Sequence, residues 1–377
     1  MAFIVNPRYK PVHHAMTALC DHDIASFTAE LRRLGHNADH ARMLLRRYYE
    51  HDGMLPTAQL QITKSLRHSL EHPDRSVRST ILARRVAADG TVKLLLGFAE
   101  GASVETVLMP SHRPDRAAGC VSSQVGCAMG CDFCASTKSG LTRNLDAGEI
   151  VEQFLHLKRE ARQQNRRLAT LVFMGMGEPM HNLDHVLAAT RRIADPAMGS
   201  LGWRHVTIST VGIVPGIERL IEENLGVQLA VSLHAPDDET RRKLIPTAKR
   251  YGVEQILDAA RRYQARSGRV VMIEYCLLAG VNDHDQQAIQ LANRLRGWRV
   301  AVNLIPHNPI GSGLSGASYE RPGVERVMRF AALLQENDVV VHIRRPRGED
   351  VDASCGQLRQ HYVQLRPREE THAETHR

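Results

Sequence analysis

Gly126-Cys127-Ala128-Met129-Gly130-Cys131-Asp132-Phe133-Cys134 sets three thiols at i, i+4 and i+7 among residues small enough for the backbone to fold tightly around them. Three thiolates at that spacing can wrap one iron–sulfur cube in a single loop, leaving its fourth iron open to a small chelating molecule. The alternatives are a zinc knuckle or buried structural thiols. Zinc sites usually pair separated Cys doublets with a nearby fourth donor, and no His occurs between residues 113 and 155. Beyond residue 119 the spacing predicts strands at 171–174, 206–210, 227–232, 270–277, 300–305 and 339–343, with helical stretches between them. In the helical stretch at 146–163, Asp146 and Glu149 stand as a cap and its N3 partner ahead of Ile150 and Phe154. Repeated βα units imply an α/β chain whose parallel sheet rolls into a full or partial barrel, with its chemistry at the carboxyl ends of the strands.

Upstream, residues 24–49 place Leu31, Leu34, Met43, Leu44 and Leu45 among Arg and Glu, the pattern of two short amphipathic helices around Gly35 and Asn37. They suit either a stabilising helical domain or a basic RNA-contacting module. Residues 79–98 predict a hairpin turning at Asp89-Gly90, and 104–110 a further strand. With 377 residues, 43% hydrophobic and 24% charged, the chain is too long and apolar for a disordered tail or a disulfide-stapled mini-domain. Its seven cysteines, an odd number, also argue against a secreted disulfide framework. No apolar run approaches the roughly 20 residues that cross a bilayer, and Pro, Arg and Lys interrupt the opening MAFIVNPRYKPVHH, so a cytoplasmic protein is expected. The net charge of +8 makes a polyanionic partner worth considering without requiring one.

The C-x3-C-x2-C spacing resembles that of radical S-adenosylmethionine enzymes, which implies one 4Fe-4S cluster held by Cys127, Cys131 and Cys134 and a methionyl chelate on the open iron. On that reading Gly175-Met176-Gly177-Glu178-Pro179, just past a predicted strand, offers backbone groups at Gly177 to a ligand amine and the Glu178 carboxylate to an ammonium or ribose hydroxyl. Ser209, Ser232-Leu233-His234 and Asn308 also sit at strand ends, where short polar groups can hold ribose, carboxylate or adenine edges, or simply cap loops.

A narrower resemblance rests on Cys120-Val-Ser-Ser-Gln-Val-Gly-Cys127, Asn144-Leu145, GMGEP at 175–179, SLHAP at 232–236, NLIPHNP at 303–309 and Asp352-Ala-Ser-Cys355-Gly-Gln-Leu358. From about residue 89 to 362 the chain resembles the RlmN/Cfr family of adenosine methyltransferases. The family's chemistry accounts for extra thiols on both sides of the cluster. Carbon 2 or 8 of adenine is an electron-poor sp2 carbon that cannot take a methyl group directly from a sulfonium. The resemblance implies that Cys355 is methylated by one S-adenosylmethionine, and that a radical from a second abstracts hydrogen from the S-methyl group. The resulting methylene radical adds to the ring. Glu105 matches the family's proton acceptor, and Cys120 fits the thiol that resolves the protein–RNA adduct through a disulfide with Cys355.

The organisation expected is an N-terminal helical accessory domain at 1–80, a β-rich linker at 81–112, a partial (β/α)6 TIM-like radical S-adenosylmethionine barrel at 113–345, and a C-terminal segment at 346–377 carrying Cys355. The resemblance implies an adenosine of 23S rRNA, position 2503, as target, with adenosine 37 of tRNA as a second substrate. Carbon 2 is favoured over carbon 8 by prevalence. Arg-rich stretches at 32–47, 241–250 and 344–347 are compatible with RNA. A flavodoxin- or ferredoxin-like electron donor, a monomer and no membrane are expected. Ser354 stands where the family usually has Ala, and Pro246-Thr247-Ala248 where it has Pro-Ile-Asn. The competing classes are a non-catalytic Fe-S RNA-binding protein, which has no need of both Cys120 and Cys355, and a radical enzyme acting on a small metabolite.

Overall fold

The structure is a computed structural model that describes residues 17–72 and 78–344. Helices α1 (Ile24–Arg33) and α2 (His40–Glu50) form the expected pair, and α3 (Lys64–Leu70) follows. α1 starts at Asp23, whose carboxylate accepts the Ser26 N–H at 2.7 Å. Phe27, Leu31, Leu44 and Leu45 are fully buried, whereas Arg32, Arg33, Arg42, Arg46 and Arg47 are exposed.

Strands β1 (Thr80–Val86) and β2 (Val92–Gly97) are the expected hairpin. Its turn needs Gly90 at φ +81°, and Asp89 accepts the Thr91 N–H at 2.9 Å. β3 (Ser103–Pro110) pairs with β2, and then antiparallel with β4 (Arg116–Cys120). β4 is the first barrel strand. It reads Arg-Ala-Ala-Gly-Cys, without the β-branched run that marks the others, and neighbours on both sides hold it extended. A small hairpin of β5 (Gln124–Gly126) and β6 (Leu141–Asn144) brackets the cysteine loop.

After it come α4 (Ala147–Gln163), β7 (Arg167–Phe173), α5 (Leu183–Ala194), β8 (Val206–Thr210), α6 (Val214–Glu223), β9 (Gln228–Ser232), α7 (Asp238–Leu244) and α8 (Val253–Ser267). β10 (Val271–Leu277), α9 (Asp285–Leu295), β11 (Val300–Pro306), α10 (Val324–Gln335) and β12 (Val340–Ile343) complete the described chain. The cap expected for α4 is reciprocal: Asp146 accepts the Glu149 N–H at 2.8 Å and Glu149 accepts the Asp146 N–H at 3.0 Å.

Among the described residues one ten-stranded sheet runs β1-β2-β3-β4-β7-β8-β9-β10-β11-β12. From β4 onward every pair is parallel, so six βα units and a closing strand form the partial barrel. Alternate residues, such as Val231, Ile273, Tyr275, Val302 and Leu304, pack in the main core under the helices. Their neighbours therefore face the barrel interior. The N-terminal helices dock on α4: Lys158 Nζ donates to the Tyr49 carbonyl at 2.7 Å and Arg159 to that of Asp52 at 2.9 Å. Among the described residues no helix is long and apolar enough to cross a membrane.

Candidate functional site

Gly126 ends β5 at φ +81°, and a Cβ there would lie 1.9 Å from the Gly140 carbonyl oxygen, so only glycine lets the loop turn. Cys127 follows, its N–H donating to that same oxygen at 3.0 Å. Cys127 and Cys131 then pack in one apolar cluster with Met129, Leu244, Ile245, Cys276 and Leu278, and Cys134 packs against it. Burial pushes the Cys127 thiol up to about 12, although the N–H groups of Met129 and Gly177 are aimed at its sulfur. Burial raises Cys131 as well, and the neighbouring Cys134 and Cys127 raise it further. Three mutually repelling sulfurs in an apolar pocket need a cationic group between them to be thiolates.

The residues fit an iron–sulfur cube, which takes one sulfur on each of three irons. Asp132 clamps the loop to the segment after β11. Its carboxylate accepts the Ser315 N–H at 2.7 Å, the Ser315 hydroxyl at 2.5 Å and the Tyr319 hydroxyl at 2.7 Å. The departure at Thr247 also supports the loop, its hydroxyl donating to the Met129 carbonyl at 2.8 Å.

The turn after β7 lies directly against this loop. Cβ atoms at Gly175 and Gly177 would sit 2.6 Å from the Ser122 hydroxyl and 2.5 Å from the Gln124 side chain, so close packing explains both glycines. Glu178 is buried, and burial raises its carboxyl to about 7. One oxygen accepts the Met180 N–H at 3.0 Å and the other the Val211 N–H at 2.8 Å, so the side chain braces the β7 turn against the end of β8.

At the next strand ends the Ser209 and Ser232 hydroxyls meet at 3.3 Å. Leu233 is buried and donates its N–H to the Glu274 carbonyl at 3.0 Å. His234 holds φ +59°, and its Nδ1 accepts the Cys276 N–H at 2.9 Å, which assigns the ring proton to Nε2. Burial lowers this imidazole to about 3, keeping it neutral, and its ring sits edge-on to Phe133 at 4.9 Å. Asn308 accepts from Arg321 in the loop after β11.

On the antiparallel side, Glu105 and Lys93 form an ion pair at 3.1 Å with both side chains 1% exposed. Cys120 lies opposite Val107, two residues from Glu105, so period-two alternation puts Glu105 and Cys120 on the same interior face. Ser122 joins them to the turn after β7: its hydroxyl donates to the Glu105 carbonyl at 2.7 Å and accepts the Met176 N–H at 2.9 Å. Among the described residues no disulfide joins two cysteines. Cys355, Ser354, Arg345 and Arg347 lie outside the described residues.

Three residues escaped the sequence reading. Arg241, counted there within a basic RNA-facing stretch, is instead 1% exposed. Its guanidinium donates to the Leu233 carbonyl at 3.1 Å and to that of Val211, beside Cys131 and Glu178, and burial lowers it to about 10. Arg242, Lys243, Lys249 and Arg250 remain exposed. Cys276, read as ordinary, shares the pocket of the three loop cysteines. Its place two positions beyond Glu274 on a strand was the available signal. Lys93 gave none beyond a lysine in a strand otherwise buried.

Residues 121–292 match the Radical SAM superfamily. The chain is 52% identical over 342 residues, 91% of its own length and 96% of the relative's, to "Probable dual-specificity RNA methyltransferase RlmN 1" of Opitutus terrae. It is 43% identical to "Ribosomal RNA large subunit methyltransferase N" of Nitrosopumilus maritimus over 79% of this chain and 86% of that one. A radical SAM methyltransferase from Sphaerobacter thermophilus superposes with a TM-score of 0.85 at 40% identity, covering 91% of this chain and 99% of that chain. A shared fold, the radical SAM match over 121–292 and 52% identity across an alignment spanning nine-tenths of both chains make this protein a member of the RlmN family of dual-specificity RNA methyltransferases, within the radical SAM superfamily.

Proposed function

We propose that the protein methylates carbon 2 of an adenosine in RNA, at position 2503 of 23S rRNA and at adenosine 37 of tRNA, through an S-methylcysteine at Cys355 and with two S-adenosylmethionine molecules per turnover. The observation that carries this reading is the placement of Glu105 and Cys120 on one interior face, tied through Ser122 to the turn beside the cysteine loop. An RNA-binding protein without catalysis has no use for an ion-paired carboxylate and a thiol side by side at that place.

Cys127, Cys131 and Cys134 hold the 4Fe-4S cluster, and Gly177, Glu178, Ser209, Ser232, Leu233, His234 and Asn308 form the S-adenosylmethionine cradle. The bound group supplies one-electron cleavage of the sulfonium and hence a carbon radical able to abstract hydrogen. Cys355 carries the methyl group as a thioether, which makes its carbon a target for abstraction. Lys93 Nζ, 3.1 Å from Glu105, holds that side chain in place on the interior face as the group that accepts the ring proton. The Cys120 thiolate then attacks the Cys355 sulfur: the S–S bond forms as the S–CH2 bond breaks, its electron pair passes into the base as an enamine that takes a proton to become the methyl group, and an external dithiol returns the disulfide to two thiols.

Residues 1–80 form the accessory domain, 81–112 the linker, 113–345 the core and 346–377 the segment that brings Cys355. The exposed arginines of α1 and α2 face the RNA. The protein works in the cytoplasm as a monomer, reduced by a flavodoxin- or ferredoxin-like donor.

The test is anaerobic turnover on unmodified 23S rRNA and tRNA with methyl-labelled S-adenosylmethionine, followed by nuclease digestion and mass spectrometry against 2-methyl and 8-methyl adenosine. Cys355→Ala is expected to keep its iron and lose all methyl transfer. Methylation at the parental rate by that variant, or an 8-methyl product, overturns the corresponding part of the proposal.

A further inference from the structure

Four residues on adjacent strands stand in one register row: Ser232 on β9, Glu274 on β10, Asn303 on β11 and His342 on β12. Glu274 and Asn303 are 4% and 2% exposed, and their strand neighbours Ile273, Tyr275, Val302 and Leu304 belong to the core under the helices. The pair therefore lies on the barrel interior, one inward-facing position, about 6.6 Å, below Cys276 in the wall of the cysteine-loop pocket.

The Asn303 amide nitrogen donates to Glu274 Oε1 at 2.6 Å, and its oxygen has no partner. This pairing with Glu274 turns the Asn303 oxygen towards the interior as an acceptor. A buried acceptor without a partner costs about 1–3 kcal/mol. Such an atom is open to a donor on a bound ligand or to an ordered water.

We propose that Asn303, oriented by Glu274, reads the 6-amino group of the target adenine and so distinguishes adenine from hypoxanthine, whose carbon 2 is equally free. An exocyclic amine donates to the oxygen, whereas a 6-oxo group meets it as a second acceptor and is rejected. The side chain is a specificity determinant on β11, on the parallel half of the sheet that β4 separates from Glu105 on β3, and it grips the base at the position one ring nitrogen away from carbon 2. This inference rests on the adenosine methyltransferase reading above.

The test is a cycle between a side chain and a substrate atom. The full-length reconstituted protein and Asn303→Leu are each given 23S rRNA carrying adenosine or purine riboside, which lacks the 6-amino group, at the target position. Removing the amine is expected to lower kcat/KM of the parent by about 10- to 100-fold, the size of one lost base-edge contact. Asn303→Leu should lose a similar factor on adenosine and, with the contact already gone, no more than about threefold further on purine riboside. Losses that multiply overturn the inference, as does a variant whose defect is a raised KM for S-adenosylmethionine with RNA discrimination intact.

Iron content and melting temperature at parental values show that the variant is folded. Glu274→Gln provides an independent arm, because a glutamine lets the Asn303 amide rotate and offer its N–H instead. It is expected to raise the rate on inosine relative to adenosine by about tenfold, and an unchanged ratio overturns the proposal. If the parent fails to methylate the adenosine RNA at all, the functional reading fails instead.

Discussion

Arg241 is the residue on which three loops of the site depend, and its removal gives a calculable loss. Its side chain is 1% exposed and donates to carbonyls of Leu233, past β9, and Val211, past β8, while standing beside Cys131 and Glu178. Arg241→Met keeps much of the volume but strands two buried acceptors, at about 1–3 kcal/mol each. It also leaves the Glu178 and Cys131 side uncompensated, and breaking a buried charge network typically costs about 3–5 kcal/mol. These overlap, so the expected destabilisation is about 3–5 kcal/mol, or roughly 6–20 °C in melting temperature if each kcal/mol shifts it by about 2–4 °C. Anaerobic urea denaturation of parent and variant measures this, with iron per chain determined on the same samples. Arg241→Lys should rescue little, because a single ammonium cannot span two carbonyls as a guanidinium fork does. A variant within about 1 kcal/mol of the parent and with full iron content would refute the reasoning.

Two other perturbations test separate parts of the fold. Gly126→Ala, with its Cβ 1.9 Å from the Gly140 oxygen, should yield a protein that retains the barrel by circular dichroism and fails to take up iron on reconstitution; normal iron uptake would show that the loop turns without glycine. His156, on α4 and 2.9 Å from the Ser79 hydroxyl, is lowered by burial from 6.5 to about 4. Because the folded value is depressed, the stability it contributes is present above pH 6.5 and is lost as pH falls towards 4, by about 3 kcal/mol at most. His156→Asn should flatten the fall in urea stability over that interval, and an unchanged slope would assign it to other groups.

The cysteine loop, the α4 cap and the hairpin at Asp89-Gly90 were legible because each is local. A spacing of three and two residues, a carboxylate three positions from its partner, and a glycine at positive φ are properties of contiguous chain. The later barrel strands were legible for a related reason: strands buried on both faces become continuous runs of β-branched residues. β4 lacked such a run, and only its partners β3 and β7 make Arg-Ala-Ala-Gly-Cys a strand.

The tertiary structure alone decided which polar residues act on one another. Arg241 sits in a run of basic residues whose neighbours are exposed, and only the carbonyls of two distant strand ends turn it inward. Lys93 meets Glu105, and Glu274 orients Asn303, across adjacent strands separated in sequence by the turn, or by the turn and helix, between them. Periodicity tells which face of a strand a residue takes, but not which residue of the next strand stands opposite it. Register does that, and register is settled by the packing of the whole sheet.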